Sequence, residues 1–387
     1  MPRSIRTTLC PALVLLASGL GAAAAVGQGA PAAGTWYFAV SGDSRDCGNL
    51  IMPKIASALE RGKSTAPIDF YWHLGDFRRM FGFDCDYDKL DHSTYDCANP
   101  PHTFSGTAKA DYLSAAWPDF INHQVNAFGA TPVFLGIGNH ELMAGRTRDD
   151  FRRFFKKWLT QDPIHGQREK DADRHISSKE GDTYYHFFAK GVDFIYLDNA
   201  DPASFSADQL EWLAKVLAHD ADDPAVKTIV AGMHEALPYS EFRRHAMDAS
   251  CHGLCSGQQV YDLLFRAQGL AGTPGSRKQV YVLASHAHLF VKDIFSNQPE
   301  HQGQVLPGWI VGTAGAQQYQ ATIQYGYLEV AVHADGTLEP TFREVTRDMP
   351  PASSGADPLV DYCFNRNKTL PTDDSFGGTC ACAAAKP

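Results

Sequence analysis

Several things that would settle its class early are missing from this 387-residue chain. It has no run of basic residues, and its formal net charge is −10, which argues against a nucleic-acid scaffold as partner. After the N-terminal segment, no stretch is apolar enough to cross a membrane. There is no G-x-S-x-G nucleophile elbow. Neither His140-Glu141 nor His234-Glu235 continues into a zinc-protease H-E-x-x-H, because Ala144 and Pro238 take the final position. Gly62-Lys63-Ser64 has the look of a P-loop end, but Ser57 replaces the required glycine and a helix precedes it. No pair of C-x-x-C motifs marks a zinc cluster, and no internal repeat is present.

What is there begins with a leader. Arg3 and Arg6, an apolar Leu9–Leu20 and Ala23-Ala24-Ala25 read as a secretory signal over 1–25. The rival reading is an uncleaved anchor, for which the apolar stretch is short. A periplasmic or secreted protein is expected, with no transmembrane segment in its mature chain. Of nine cysteines, Cys10 lies in the leader, and an even number in an exported chain suggests disulfides. Cys85 with Cys97 and Cys251 with Cys255 are the local pairings favoured.

Five apolar runs end in residues that chemistry uses. Tyr37–Ser41 leads to Gly42-Asp43-Ser44-Arg45, and Phe70–Leu74 to Gly75-Asp76. Thr131–Ile137 leads to Gly138-Asn139-His140-Glu141. Thr228–Ala231 leads to Gly232-Met233-His234, and Val280–Ala284 to Ser285-His286-Ala287-His288. Strands that deliver such residues at their ends describe a metal site at the carboxyl edge of an α/β sheet. Singly, each Asp reads better as a turn or cap residue and each His as a satisfied core histidine; the joint pattern overturns those readings. His286 and His288 alternate to one face of an extended segment. Asp43, Asp76, Asn139, His234, His286 and His288 offer only oxygen and imidazole, a set that suits Zn, Mn or Fe. Two such ions about 3.5–4 Å apart can clamp a phosphoryl group and activate a water. His73 reads as a strand side chain.

The ordered set GD, GD, GNHE, a lone His and His-x-His resembles the calcineurin-like metallophosphoesterases, which include the purple acid phosphatases. The likeness runs from about Tyr37 to about Val345. It implies that Asp76 bridges two metals, that Asn139, His234 and His286 complete one site, and that Asp43 and His288 belong to the other. It implies that His140 contacts substrate phosphate or assists the leaving group, with Glu141 helping to hold it. Two positions depart from the pattern. The family's D-x-H is here Asp43-Ser44-Arg45, and the metal-binding Tyr of the purple acid phosphatases, three residues after the second Asp, is here Arg79. Arg45 cannot ligate a metal and is expected to clamp substrate phosphate through its planar donor fork.

Elsewhere a helix is expected over Met52–Arg61, then a long insertion, 77–130, that forms a possible lid. Asp84-Cys85-Asp86-Tyr87-Asp88 alternates like a calcium loop, but Lys89 and Tyr95 occupy the Gly and Glu positions, so a solvated, disulfide-closed loop is expected. Helices are expected over Ala108–Phe128, over Asp149–Leu159 with Phe151, Phe154, Phe155 and Trp158 on one core face, and near Val260–Arg266. Residues 161–181 read as a charged loop, and Ser206–Gln209 as a capping box opening another helix. Strand pairs follow at 183–198 and 325–345, the latter turning at Asp335-Gly336. The tail, 346–387, is either a stapled appendage or a mobile end. These features predict an α/β (α+β) chain, a four-layer αββα sandwich of two mixed sheets, with one metallophosphoesterase domain over 26–345. The expected function is an exported phosphoesterase that hydrolyses small phosphomonoesters with metal-activated water. A diesterase acting on nucleotides or lipid head groups, or a non-catalytic phosphate-binding protein, remains open.

Overall fold

The computed structural model describes residues 34–62, 67–87, 104–179, 181–200, 204–242, 245–269, 278–296, 298, 301, 303–352, 357–370, 380 and 382. All belong to the unit Ala32–Pro387. The expected leader and Cys97 lie outside the described residues.

Alternation along β1 (Trp36–Ser41) and β2 (Ile68–His73) puts Trp36, Phe38, Phe70 and Trp72 on one face. The helix α1 (Gly48–Gly62) follows β1 and packs on the other face, where the Tyr71 hydroxyl reaches Met52 Sδ at 3.4 Å. With β3 (Val133–Leu135), these strands run parallel in a first sheet. A second sheet forms from β4 (Tyr185–Ala189), β5 (Val192–Leu197), β6 (Thr228–Met233), β7 (Gln279–Ala284), β8 (Phe290–Lys292) and β9 (Gly308–Val311), in the order β4-β5-β6-β7-β9-β8. The chain then returns to the first sheet as β10 (Gly326–Val332) and β11 (Leu338–Glu344), giving β11-β10-β1-β2-β3. Each sheet is mixed: β10 pairs antiparallel with β1, and β4 and β8 lie antiparallel at the edges of the second sheet.

Aromatic rings fill the space between the sheets. Phe194 of β5 meets Phe38 and Phe70 edge-on at 5.0 Å, and Phe134 stacks on Phe187 at 4.1 Å. Two tyrosines of the second sheet also hold the segment after β3: the Tyr185 hydroxyl donates to Leu135 O at 3.1 Å and that of Tyr196 to Ile137 O at 2.7 Å. Those bonds end two residues before Asn139. Gly136 makes the approach possible, since a Cβ there would lie 2.1 Å from the Tyr196 ring.

Helices complete the layers. Those of the first-sheet side are α2 (Gly106–Asp119), α3 (Arg148–Phe154) and α4 (Lys156–Leu159), besides α1, while α5 (Asp162–Asp173) packs against β4 of the second sheet. On the second sheet, α6 (Ala207–Asp222) and α7 (Cys251–Gln268) bury Trp212, Leu213, Val260, Tyr261 and Leu264 against Ile195, Ile229 and Val282. The four-layer arrangement is the expected one. No helix of the described residues is long and apolar enough to cross a membrane.

Four expectations are corrected. The helix over 149–159 breaks at Phe155; Phe151, Phe155 and Leu159 are buried, but Phe154 is 40% exposed, so the aromatic stripe is not a single core face. The charged stretch 161–181 contains α5, which has no apolar stripe to announce it. Asp84 and Asp86 are not solvated: they lie buried against Arg78, and each accepts a backbone N–H from the first-motif segment, of Asp46 and Asn49, at 2.6 Å. Cys251 and Cys255 do not pair with each other. They lie one turn apart on α7 and join Cys380 and Cys382 respectively, while Cys47 joins Cys363. Cys85 is also disulfide-bonded. The tail is therefore stapled, and such crosslinks fit an oxidising compartment.

What secures α5 is charge. Buried His186 of β4 lies 2.6 Å from Asp171 of α5 and 2.8 Å from Asp193 of β5. Burial disfavours its cation, but the Asp193 charge and the Asp171 hydrogen bond outweigh it and push the imidazole up to about 10. The folded-state value lies above the ordinary 6.5, so this stabilisation is complete below about pH 6.5 and is lost as pH rises through about 10. His186→Phe, which strands two buried carboxylates, is expected to cost about 3–5 kcal/mol at pH 6. Urea unfolding should show that deficit shrinking toward pH 10; an equal deficit at both pH values would make the role one of packing.

Candidate metal centre

All five strand ends meet at one edge of the molecule, because β1, β2 and β3 run parallel in one sheet and β6 and β7 in the other. Backbone bonds join the loops there: Asp43 N donates to Gly75 O at 2.9 Å, Ser44 N to Asp76 O at 3.0 Å and Ser285 N to His234 O at 2.8 Å. Glu141 fastens two loops, accepting from Asp76 N, Phe77 N and Gly138 N at 2.8–2.9 Å. It grips backbone rather than the His140 ring, which instead donates from Nδ1 to Arg79 O at 2.7 Å. Asp43, Asp76, His286 and His288 all sit at positive φ, between 46° and 64°. Four non-glycine residues in that costly region at one place is the pattern of strain held for function. It also corrects the extended reading of His286 to His288, whose rings enter different halves of the site.

One half is centred on His234. Its Nδ1 donates to Leu74 O at 3.0 Å, which aims Nε2 inward. Around Nε2 stand Asn139 Oδ1 at 3.0 Å, His286 Nδ1 at 3.1 Å and Asp76 Oδ1 at 3.3 Å. Ligands about 2.0–2.2 Å from an ion lie roughly 3.0–3.4 Å from one another, so these spacings fit the edges of a coordination shell. The other half brings Asp43 Oδ1 to 3.3 Å from His288 Nε2. Both Asp76–His234–His286 and Asp43–Asp76–His288 are grouped closely enough to hold an ion. Asp43 Oδ1 and Asp76 Oδ2 are buried and accept no hydrogen bond, a costly state that a cation relieves. Arg45 lies in this second half, its NH2 2.8 Å from His288 Nε2 and its Nε 3.8 Å from Asp76 Oδ2.

The electrostatics follow from burial and these neighbours. Burial raises Asp43, but the neighbouring His288 and His234 outweigh it and bring it to about 2. Asp76 is held well below the carboxylate range, against burial, by His140 and His234. Burial works against the His234 cation, yet Asp76 drives it up to about 10, so a cation entering there displaces a proton and binds more weakly as pH falls. Burial and the Arg45 charge hold His140 down near 3, so its imidazole is neutral.

The six expected ligands, Arg45 and His140 are thus brought together. His73 is not among them; it closes β2 and packs edge-on against Phe77 and Phe120. The cleft over the site, about 460 Å³, also takes in Arg79, Phe81, His245, Tyr319 and Tyr362. Sequence spacing offers no sign of the last three. Tyr319 stacks on His288 at 4.6 Å and on His245 at 4.5 Å, and Tyr362 is carried in beside Cys363. A larger cleft, about 590 Å³, lies beside the start of α6 and includes none of the expected ligands.

No family model matches the sequence, and no curated protein does. Solved structures do. Purple acid phosphatase PPD1 from yellow lupin (Lupinus luteus) seeds is similar at a TM-score of 0.50 and 13% identity, over 81% of this chain and 53% of that one. A 5'-nucleotidase from Candida albicans is similar at 0.39 and 12%, over 81% and 53%. GAP50, the anchor in the inner membrane complex of Plasmodium, is similar at 0.41 and 10%, over 90% and 99%. The chain spans about half the length of the lupin and Candida proteins. At such identities the likeness speaks for the fold alone, a fold shared with the lupin purple acid phosphatase.

Proposed function

We propose that the protein is an exported, metal-dependent phosphoesterase that hydrolyses small phosphomonoesters. The observation that carries this is the convergence of Asp76, Asn139 and His286 on His234 Nε2 at 3.0–3.3 Å, beneath an open cleft. Asp76, Asn139, His234 and His286 would hold a Zn, Mn or Fe ion; when bound, it supplies Lewis acidity toward a phosphoryl oxygen and activates a water. The chain's own residues do the rest. Arg45 lines the cleft and brings it a permanent positive charge, from which equatorial phosphoryl oxygens gain. His140 faces the same space through Nε2, 3.5 Å from Asp76 Oδ2. The negative charge of a phosphoryl group offsets the burial and the Arg45 charge that keep this imidazole neutral, which lets it carry a proton toward a leaving oxygen. The insertion 77–130 shapes the mouth through Arg79 and Phe81, the latter 51% exposed. Observed disulfides support a periplasmic or secreted location.

Hydrolysis of p-nitrophenyl phosphate should exceed that of bis-p-nitrophenyl phosphate by about tenfold or more in kcat/KM, since a monoester presents three free oxygens to Arg45 and the cation. The opposite preference would make the protein a diesterase. Failure to hydrolyse either ester with any of the three metals, while binding inorganic phosphate, would make it a phosphate-binding protein.

A further inference from the structure

The half of the site formed by Asp43, Asp76 and His288 already contains a cation. Arg45 is buried, with only 9% of its side chain exposed, and a guanidinium does not lose its proton in a protein. His288 Nδ1 donates to Gln317 O at 2.8 Å, so Nε2 carries the ring's lone pair. That lone pair is the atom a metal would need, and Arg45 NH2 stands 2.8 Å from it. The same guanidinium reaches toward Asp76 Oδ2. Asp43 contributes one free oxygen, because Oδ2 accepts from His286 N at 2.7 Å. A divalent ion here would lie against a permanent positive charge, with one carboxylate of its own and a second shared with the His234 half.

The placement is built into the loop. Cys47, two residues beyond Arg45, is crosslinked to Cys363, and Asp46 N is held by buried Asp84. Tyr319 lies flat on the His288 ring, at 4.6 Å and 12°, and fixes the acceptor.

We propose that the centre holds a single metal ion, bound by Asp76, Asn139, His234 and His286, and that the Arg45 guanidinium takes the place of the second ion. The proposal rests on the phosphoesterase reading and deepens it. His288 and Asp76 then anchor Arg45, at 2.8 and 3.8 Å, and neither Asp43 nor His288 serves as a metal ligand. The phosphoryl group is gripped between the ion and the guanidinium, which offers charge and donors but no open coordination position.

The test uses the full chain, stripped with a chelator, reloaded with excess Mn(II), freed of unbound ion, and then assayed for metal per chain and by electron paramagnetic resonance. The wild type should hold a single ion per chain, with the hyperfine pattern of an isolated ion. His288→Ala should keep that ion, and Arg45→His should take up a second one with the signature of an exchange-coupled pair. A wild type with a coupled pair of ions overturns the proposal, as does loss of the ion from folded His288→Ala. The wild type and His288→Ala decide the matter even if Arg45→His does not fold. An active wild type with two ions overturns this inference alone; a chain that binds no ion in any form overturns the phosphoesterase reading as well.

Discussion

Asn139→Ala and His286→Ala are each expected to lose at least about 100-fold in metal affinity, because even partners behind a ligand are commonly worth 10–100-fold. Hydrolysis should vanish with the metal. His140→Ala should behave differently. The His140 backbone N–H, which donates to Asp76 Oδ1 at 3.0 Å, survives the substitution, and the ring's Nε2 lies 3.5 Å from Asp76 Oδ2. Metal content should stay at the wild-type level while kcat falls about 10²–10⁴-fold, the usual weight of a positioned proton donor or acceptor. Elemental analysis beside steady-state kinetics separates the two classes. If His140→Ala lost its metal as His286→Ala does, the division between holding the ion and serving the substrate would be wrong.

A methyl group should be nearly as damaging as a lost ligand at Gly138. The backbone there is extended, with φ −108° and ψ 178°, so alanine meets no conformational penalty. Space is the constraint. A Cβ would lie 2.3 Å from Asp76 Oδ1, 2.5 Å from Asp76 N and 2.9 Å from His234 Cε1. Either Asp76 or His234 must move, and a displacement of about 1 Å in such a constellation costs on the order of 100-fold. Gly138→Ala is therefore expected to fold, by circular dichroism, and to bind metal about 100-fold more weakly. Gly166→Ala on α5, where a Cβ meets nothing within 4 Å, is the control and should leave metal binding unchanged. Wild-type affinity in Gly138→Ala would show that the loop carrying Asp76 yields without cost.

The convergence of the proposed ligands was legible because each ends a short apolar strand, where period and chemistry change together within two or three residues. Parallel pairing then does what the sequence can only imply, bringing five separated strand ends to one edge. Features without a period were not legible. Helix α5 depends on the Asp171–His186–Asp193 contact, which joins three elements. The pairing of Cys251 with Cys380 follows from where the tail lies, not from spacing. Asp84 and Asp86 look like solvated acids until Arg78 is found buried between them. Tyr319 and Tyr362 enter the cleft from segments with no motif. Arg45 was legible as a departure from the D-x-H pattern; its seat beside His288 Nε2 was not.

Chelation followed by metal titration, with bound ion and p-nitrophenyl phosphate hydrolysis read on the same samples, tests metal-dependent phosphoesterase activity most directly. Hydrolysis should disappear on chelation and return in proportion to bound ion, reaching its maximum when the His234 half is filled. Hydrolysis that survives complete removal of metal, or a fully loaded protein that hydrolyses neither the monoester nor the diester, would contradict it.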